Sequence, residues 1–252
     1  MAGAHDDTNL DEPAPHEPAP HGPAPHGPAP DESGADESGA DDATARSRED
    51  ARRWDERYLS KPAFWSGNPN GTFVIEVSPL APGRALDVGC GEGADAIWLA
   101  ERGWRVTAVD ISGAAIERAR DAARATGVEV DWRADDVLLH APEPAAYDLV
   151  SIQYPALLQA AGPVAVRGIL DAVAPGGVLL VVGHALDHQH EHAREHARQN
   201  GFDPDDFVSR EQIATLLSDD FTVEVDETRP RPAPPAGTPH VDDTVLRARR
   251  RR

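Results

Sequence analysis

The stretch Ala85-Leu86-Asp87-Val88-Gly89-Cys90-Gly91-Glu92-Gly93 constrains this chain more than any other part of it. A short apolar segment, Ala85 to Val88, runs into a turn with glycine at three alternate positions, and a helix is expected to open near Ala94. Glycines remove the Cβ atoms that would hold a ligand away from the backbone. The N–H groups left free where a helix begins then point into the same space. The turn is therefore built for a ligand pressed against main chain.

Two ligand classes fit such a turn. Gly89-x-Gly91-x-x-Ala94 formally satisfies a dinucleotide fingerprint. Asp87 argues against it, because a carboxylate two residues before the first glycine repels an approaching pyrophosphate and suits a cation. A ligand carrying an ammonium and a sulfonium would be attracted. A second strand, Val106 to Asp110, ends in an acid about 20 residues beyond the turn, a spacing that suits ribose hydroxyls in either reading. The D-x-G-x-G form tilts the choice toward the cationic nucleoside.

LDVGCGEG followed by AVDIS resembles the first two motifs of the class I S-adenosylmethionine-dependent methyltransferases. Within that superfamily the chain looks most like the small-molecule group related to the tellurite-resistance and thiopurine methyltransferases. The resemblance implies cofactor contacts from Asp87, Gly89, Cys90, Gly91, Asp110 and Ile111. It also implies an adenine-binding acid after strand three, matched best by Asp135 with Asp136 beside it, and a contact from Gln153 to the methionine moiety. An N-terminal WxxxY helix and a following aromatic loop would fold over the cofactor, which makes Trp54, Tyr58 and Trp65 candidate substrate-pocket residues. Tyr154 and His184, at the ends of strands four and five, are the other candidates for facing the acceptor. Trp54, Tyr58 and Trp65 fit equally well as anchors of their segment to the core.

The β–α alternation from 85 to 182 predicts an α/β fold, a doubly wound, mostly parallel, Rossmann-like sheet with right-handed crossovers. Strands are expected at 85–88, 104–109, 128–132, 147–152 and 178–182. Helices are expected at 46–59, 94–102, 114–126 and 163–174, and Thr72 to Ser78 reads as a helical or strand-like connector. Ser209-Arg210-Glu211-Gln212 has capping-box form and starts a helix through Leu217. Two last strands, 221–227 and 241–248, make the antiparallel hairpin that completes a seven-stranded sheet in the resembled fold. Residues 184–208 read as polar, His-rich and irregular.

Composition sets the limits of the domain. Residues 13–32 repeat a Pro/Ala/His pentapeptide and 31–40 duplicate Asp-Glu-Ser-Gly-Ala. Such sequence cannot bury enough apolar surface to offset the entropy of ordering, so 1–45 is expected to be a disordered acidic tail. The catalytic domain is expected at 46–248, with 249–252 a basic C-terminal tail and Arg247 to Arg252 frayed beyond the last strand. The net charge of −20 argues against a nucleic-acid substrate, since phosphate binding depends on Lys and Arg. Cys90 is the single cysteine, so no internal disulfide or Cys-rich metal site is expected. His188, His192 and His196 are four apart, but their charged neighbours describe an exposed polar helix, and His16, His21 and His26 lie in low-complexity sequence; no metal is expected. With no membrane span and no signal pattern, a cytoplasmic protein follows, expected to be a monomer.

The expected activity is transfer of a methyl group from S-adenosylmethionine to a small-molecule acceptor by in-line displacement. Alignment and exclusion of water dominate such a step. No unambiguous general base stands out, and no catalytic residue is assigned, which favours a soft or already ionised acceptor. The alternatives are an NAD-dependent oxidoreductase and a non-catalytic adaptor that retains the cofactor fold.

Overall fold

The computed structural model describes residues 34–186, 191–199, 201–234, 238 and 240–252, and the side chains of 34–40 and of Ala193 lie outside this account. The pentapeptide repeat with His16, His21 and His26, and also His188 and His190, lie outside the described residues. The elements in chain order are α1 (Gly34–Leu59), α2 (Gly71–Val77), β1 (Arg84–Val88), α3 (Ala94–Glu101), β2 (Arg105–Asp110), α4 (Gly113–Thr126) and β3 (Asp131–Ala134). They are followed by β4 (Tyr147–Gln153), α5 (Gly162–Asp171), β5 (Val173–His184), α6 (Glu191–Gln199), α7 (Arg210–Leu216), β6 (Phe221–Pro230) and β7 (Asp242–Arg250).

The sheet has seven strands in the order β3-β2-β1-β4-β5-β7-β6. The first five pair in parallel, and β7 runs antiparallel to both β5 and β6. The strand order runs outward from β1 through β2 to β3 and resumes on the other side of β1 with β4, so the carboxyl ends of β1 and β4 open a crevice beside the glycine turn. Two apolar layers close the sheet faces. One gathers Leu86, Val150, Ile152, Ile169, Leu179 and Leu246, and the other Phe73, Trp98, Leu99, Leu149, Leu180 and Val245. Leu149 to Ile152 are buried throughout, as a strand covered by helices on both sides must be. Among the described residues no helix is long and apolar enough to cross a membrane.

Local chemistry sets most of the boundaries. Ser112 caps α4 by accepting from the Ala115 amide, and Gly127 ends it at φ +75°. Ser209 and Gln212 close a full capping box on α7. The segment 72–78, read as a connector of either kind, is helix α2, with Asn70 as its N-cap.

Several expectations are corrected. Helix α1 starts at Gly34 rather than Arg46. Arg46 pairs with Asp42 one turn earlier, and the acids near this end suit the helix dipole. Leu59, beside Tyr58 at the end of the helix expected over 46–59, is 69% exposed while Tyr58 is 3% exposed. A spacing of five residues carries it round the helix, whereas four keeps Trp54 and Tyr58 together. Strand β3 begins at Asp131 rather than Val128, because it is a short, mostly exposed edge strand whose register follows β2 instead of its own apolar residues. Strand β5 begins at Val173 and pairs with β4 through a bulge, so the Pro175-Gly176-Gly177 turn lies inside it. Part of the segment read as irregular is helix α6.

The basic C-terminus is the largest correction. Arg247, Arg249 and Arg250 belong to β7 and are not a frayed tail. Arg247 reaches Glu76 and Glu224, Arg249 reaches Glu224, and Arg250 donates to the carbonyls of Asp171 and Val173. A strand lying between β5 and β6 has every edge bond to make, so it holds through Arg250.

Candidate functional site

The turn between β1 and α3 places Gly89, Gly91 and Gly93 at φ +69°, +54° and +84°, all in the left-handed region. The three have different reasons to lack a side chain. A Cβ on Gly93 would fall 2.5 Å from the Trp132 ring, and one on Gly91 would fall 3.0 Å from the Tyr58 hydroxyl. A Cβ on Gly89 would meet nothing within 4 Å. Packing therefore accounts for Gly91 and Gly93, and the opening above Gly89 is the cradle.

Carboxylates surround that opening. Asp87 is 2% exposed and its Oδ2 has no hydrogen-bond partner. Burial, then Asp95 and Asp110, hold its pKa well above the ordinary aspartate range. Asp110, at the end of β2, accepts from the Gly91 amide at 2.8 Å and the Ser112 amide at 2.9 Å. Burial pushes it up to about 6 against the pull of those two amides. Asp95 accepts from the Asn70 amide at 2.7 Å, and burial pushes it up to about 6 as well. Burial thus disfavours ionisation of all three acids, the other two add to it at Asp87, and a bound cation would relieve it. Cys90 lies among them half-buried, its thiol pushed up by burial and then by Asp110 and Asp87, which is the opposite of an activated nucleophile.

A strap closes over the cradle. Glu92 accepts from the Phe64 amide at 3.1 Å and the Trp65 amide at 2.9 Å, and forms an ion pair with Arg118 at 2.7 Å. Burial raises its pKa, but the amides of Trp65 and Phe64 and then Arg118 outweigh it and hold the carboxyl below its usual range. Arg118 also donates to the Lys61 carbonyl at 2.6 Å, and the Trp65 Nε1 donates to the Tyr58 hydroxyl at 3.2 Å. Trp54 packs 5.9 Å from Tyr58 and 5.3 Å from Phe202, ring centre to ring centre. Asp55 fastens α1 to the start of α4 by accepting from the Ser112 hydroxyl at 2.6 Å and the Ala114 amide at 3.0 Å.

One cavity of about 1730 Å³ is lined by all the candidate residues except Asp87, namely Gly89, Cys90, Gly91, Asp110, Ile111, Asp135, Asp136, Gln153, Trp54, Tyr58, Trp65, Tyr154 and His184. Asp87 lies beneath it in β1. Asp135 Oδ1 accepts from the Asp136 amide at 2.8 Å and lies 2.7 Å from His140 Nδ1, and Asp136 caps the Leu138 amide. Gln153 is held by Asn70 and Ser151. Tyr154 follows at φ +48°, a strained backbone for a non-glycine residue, and its hydroxyl donates to Asp243 at 2.9 Å. Its ring stacks on His184 with centres 4.3 Å apart.

Sequence reasoning missed Glu92, Asp95, Asn70 and the group Asp243, Arg231 and His240. Glu92 and Asp95 were legible, since they stand in and just after the glycine turn. Asp243, Arg231 and His240 reach the cavity from the terminal hairpin, and no local pattern marks them. Among the described residues no three His, Cys, Asp or Glu side chains are grouped to hold a metal ion.

Comparison with known proteins agrees with this geometry. Residues 85–177 match the family described as a methyltransferase domain. A ubiquinone biosynthesis O-methyltransferase of Xylella fastidiosa is 34% identical over 133 residues, 51% of this chain and 52% of that protein. A ribosomal RNA small subunit methyltransferase C of Chromohalobacter salexigens is 37% identical over 124 residues, 44% of this chain and 36% of its own. The chain thus spans about half or less of the length of these curated relatives. The N-methyltransferase NodS of Bradyrhizobium japonicum, solved with S-adenosyl-L-homocysteine, shares the fold with a TM-score of 0.58 and 22% identity over 79% of this chain and 97% of that one. The glycine motif, the acid ending β2 and the 3-2-1-4-5-7-6 sheet thus agree with a methyltransferase domain match over residues 85–177.

Proposed function

We propose that the protein transfers the methyl group of S-adenosylmethionine to a small-molecule acceptor. The observation that carries this reading is the orphaned, buried Asp87 Oδ2 beside Asp95 and Asp110, under the open space at Gly89. A cationic nucleoside supplies the charge these acids need, whereas a pyrophosphate would add to their repulsion. That same electrostatics disfavours the NAD-dependent reading.

Bound in the cradle, the cofactor supplies an electrophilic methyl on a sulfonium. The protein's own part is to bind, orient and exclude water. Asp110 keeps lone pairs for ribose hydroxyls while its amide bonds fix its rotamer. Asp135 and Asp136 line the cavity beyond β3 and suit an adenine ring. Gln153, fixed by Asn70 and Ser151, would hold the amino-acid end of the cofactor. Phe64 and Trp65, held down by Glu92, cover the site and keep water out. Well-oriented reactants gain on the order of 7–11 kcal/mol from such positioning. Cys90, Gly89, Gly91 and Ile111 contribute backbone to the cradle, and Trp54, Tyr58, Trp65, Tyr154 and His184 wall the acceptor space.

We place the catalytic unit at the expected residues 46–248, carried on to Arg250 by the length of β7, with the acidic repeat outside it. The aromatic strap and Trp54/Tyr58 helix support a place near the tellurite-resistance and thiopurine group. The acidic cavity rim supports a small molecule in preference to a nucleic acid. Calorimetric titration with S-adenosylhomocysteine against NAD tests the cofactor. Release of S-adenosylhomocysteine over thiol, tellurite, selenite, amine and phenol acceptors tests the transfer, and tight binding without turnover on any of them would favour the adaptor reading.

A further inference from the structure

The far wall of the cavity carries the opposite charge to the cradle. Four arginines line the cavity: Arg46, Arg194, Arg210 and Arg231. Arg46 pairs with Asp42, Arg194 with Asp205, and Arg210 with Glu211 and Asp226. Among the described residues Arg231 has no carboxylate partner, and its guanidinium carbon lies 5.0 Å from the centre of the Tyr154 ring. In a chain of net charge −20, a cavity arginine left without an acid is conspicuous.

A second observation points to the same place. The His184 ring lies between Tyr154 and His240, with centres 4.3 and 4.1 Å apart and planes tilted by 27° and 24°. The Nδ1 atoms of His184 and His240 are both sequestered from solvent without a hydrogen-bond partner. Orphaned buried polar atoms are uncommon and costly, and two on adjacent stacked rings call for a ligand that meets them. Burial, His240 and Arg231 push His184 down to about 3, and burial, His196 and Arg231 push His240 down. Burial is the larger cause at both rings, and Arg231 adds positive charge beside them. Asp243, which faces the group from β7, is already engaged by the hydroxyls of Thr72 at 2.6 Å and Tyr154 at 2.9 Å.

We propose that Arg231, His184 and His240 form an oxyanion-binding subsite that holds a carboxylate or comparable oxyanion of the methyl acceptor, beyond β4 from the cofactor cradle. A guanidinium with neighbouring ring N–H donors matches such a group. A cavity of about 1730 Å³ exceeds the 300–1,000 Å³ of usual small-molecule pockets, which leaves room for an organic body beside the cofactor. The acceptor is thus a bipolar partner to the cofactor: positive charge goes to the aspartates, negative charge to Arg231.

The inference rests on the methyl-transfer reading, and its test keeps the two apart. The full chain is loaded with S-adenosylhomocysteine and titrated calorimetrically with benzoate and 4-hydroxybenzoate, with the corresponding neutral amides, and with selenite. The expected result is carboxylates binding at least about tenfold tighter than their amides, with that preference lost in Arg231→Gln, largely kept in Arg231→Lys and weakened in His240→Ala. Unchanged affinity for S-adenosylhomocysteine in these variants shows that they fold. Selenite binding that depends on Arg231 supports the same subsite and points to an inorganic acceptor. Equal binding of acid and amide, no oxyanion binding at millimolar concentration, or a preference that survives Arg231→Gln overturns the subsite. Failure of S-adenosylhomocysteine to bind at all overturns the function instead.

Discussion

Asp87, Asp95 and Asp110 show how one set of side chains is costly to the empty fold and useful to the bound one. Their pKa values are raised, so the folded state holds protons that the unfolded chain has released, between about pH 4 and pH 6 for Asp95 and Asp110, with Asp87 also held well above the ordinary range. Their contribution to stability is therefore greatest below that window and falls as pH rises through it. Cofactor affinity has the opposite sign, because a cation prefers ionised partners. Affinity for S-adenosylmethionine is expected to drop about tenfold or more from pH 7 to pH 5, and less steeply for S-adenosylhomocysteine, which lacks the sulfonium charge. Calorimetry at several pH values checks both slopes, and a flat profile for S-adenosylmethionine would sink the electrostatic argument. The glycines give a matched pair of substitutions. Gly89→Ala adds a methyl to open space at a strained φ, so it should cost only about 1 kcal/mol of stability while abolishing cofactor binding. Gly93→Ala drives a methyl into Trp132 and should lower the melting temperature well before binding can be measured.

At the scale of elements, the aromatic tip of the strap between α1 and α2 hangs on the Glu92 carboxylate. Glu92 serves two backbone amides and Arg118, and Arg118 in turn ties the Lys61 carbonyl. Glu92→Gln loses the charge that makes these bonds strong and can accept at one oxygen only. Hydrogen exchange at Phe64 and Trp65 is expected to speed up by about tenfold, with a raised KM for S-adenosylmethionine and little change in global melting. Unaltered exchange at both amides would show that the aromatic contacts hold the strap without Glu92. The α1 helix is fastened separately, by Asp55 on the start of α4, so the two ends of the cover should loosen independently.

For the whole molecule, the decisive element is the one nearest the C-terminus. β7 sits inside the sheet, between β5 and β6, and its Arg247 meets Glu76 of α2 together with Arg229 of β6. Glu76 is 5% exposed, so Glu76→Ala removes the buried acceptor shared by two partly buried guanidiniums and leaves them only Glu224 and Glu227, at a cost of about 2 kcal/mol by thermal or denaturant unfolding. Deleting 242–252 removes a central strand and should leave no cooperative unfolding transition; a truncated chain that still melts cooperatively would contradict the strand order. That strand also carries Asp243 and, through the preceding hairpin loop, brings Arg231 and His240 to the cavity.

The sequence by itself determined the parts whose causes are local. The glycine turn, the acid ending β2, the Ser112 and Ser209 caps, and the apolar run of β4 follow from backbone sterics, capping and periodicity, all of which act within a few residues. The α/β class and the terminal hairpin follow from how those pieces alternate. Only the tertiary structure decided which glycine opens to a ligand, because Gly91 and Gly93 are explained by Tyr58 and Trp132, far away in the chain. It likewise turned an apparent basic tail into a central strand, since pairing with β5 and burial of Glu76 are long-range events that composition does not record. The second charge pole of the cavity was hidden for the same reason. Arg231, His184 and His240 lie on segments without a shared motif, and it is the sheet, by placing β7 beside β5, that makes them neighbours.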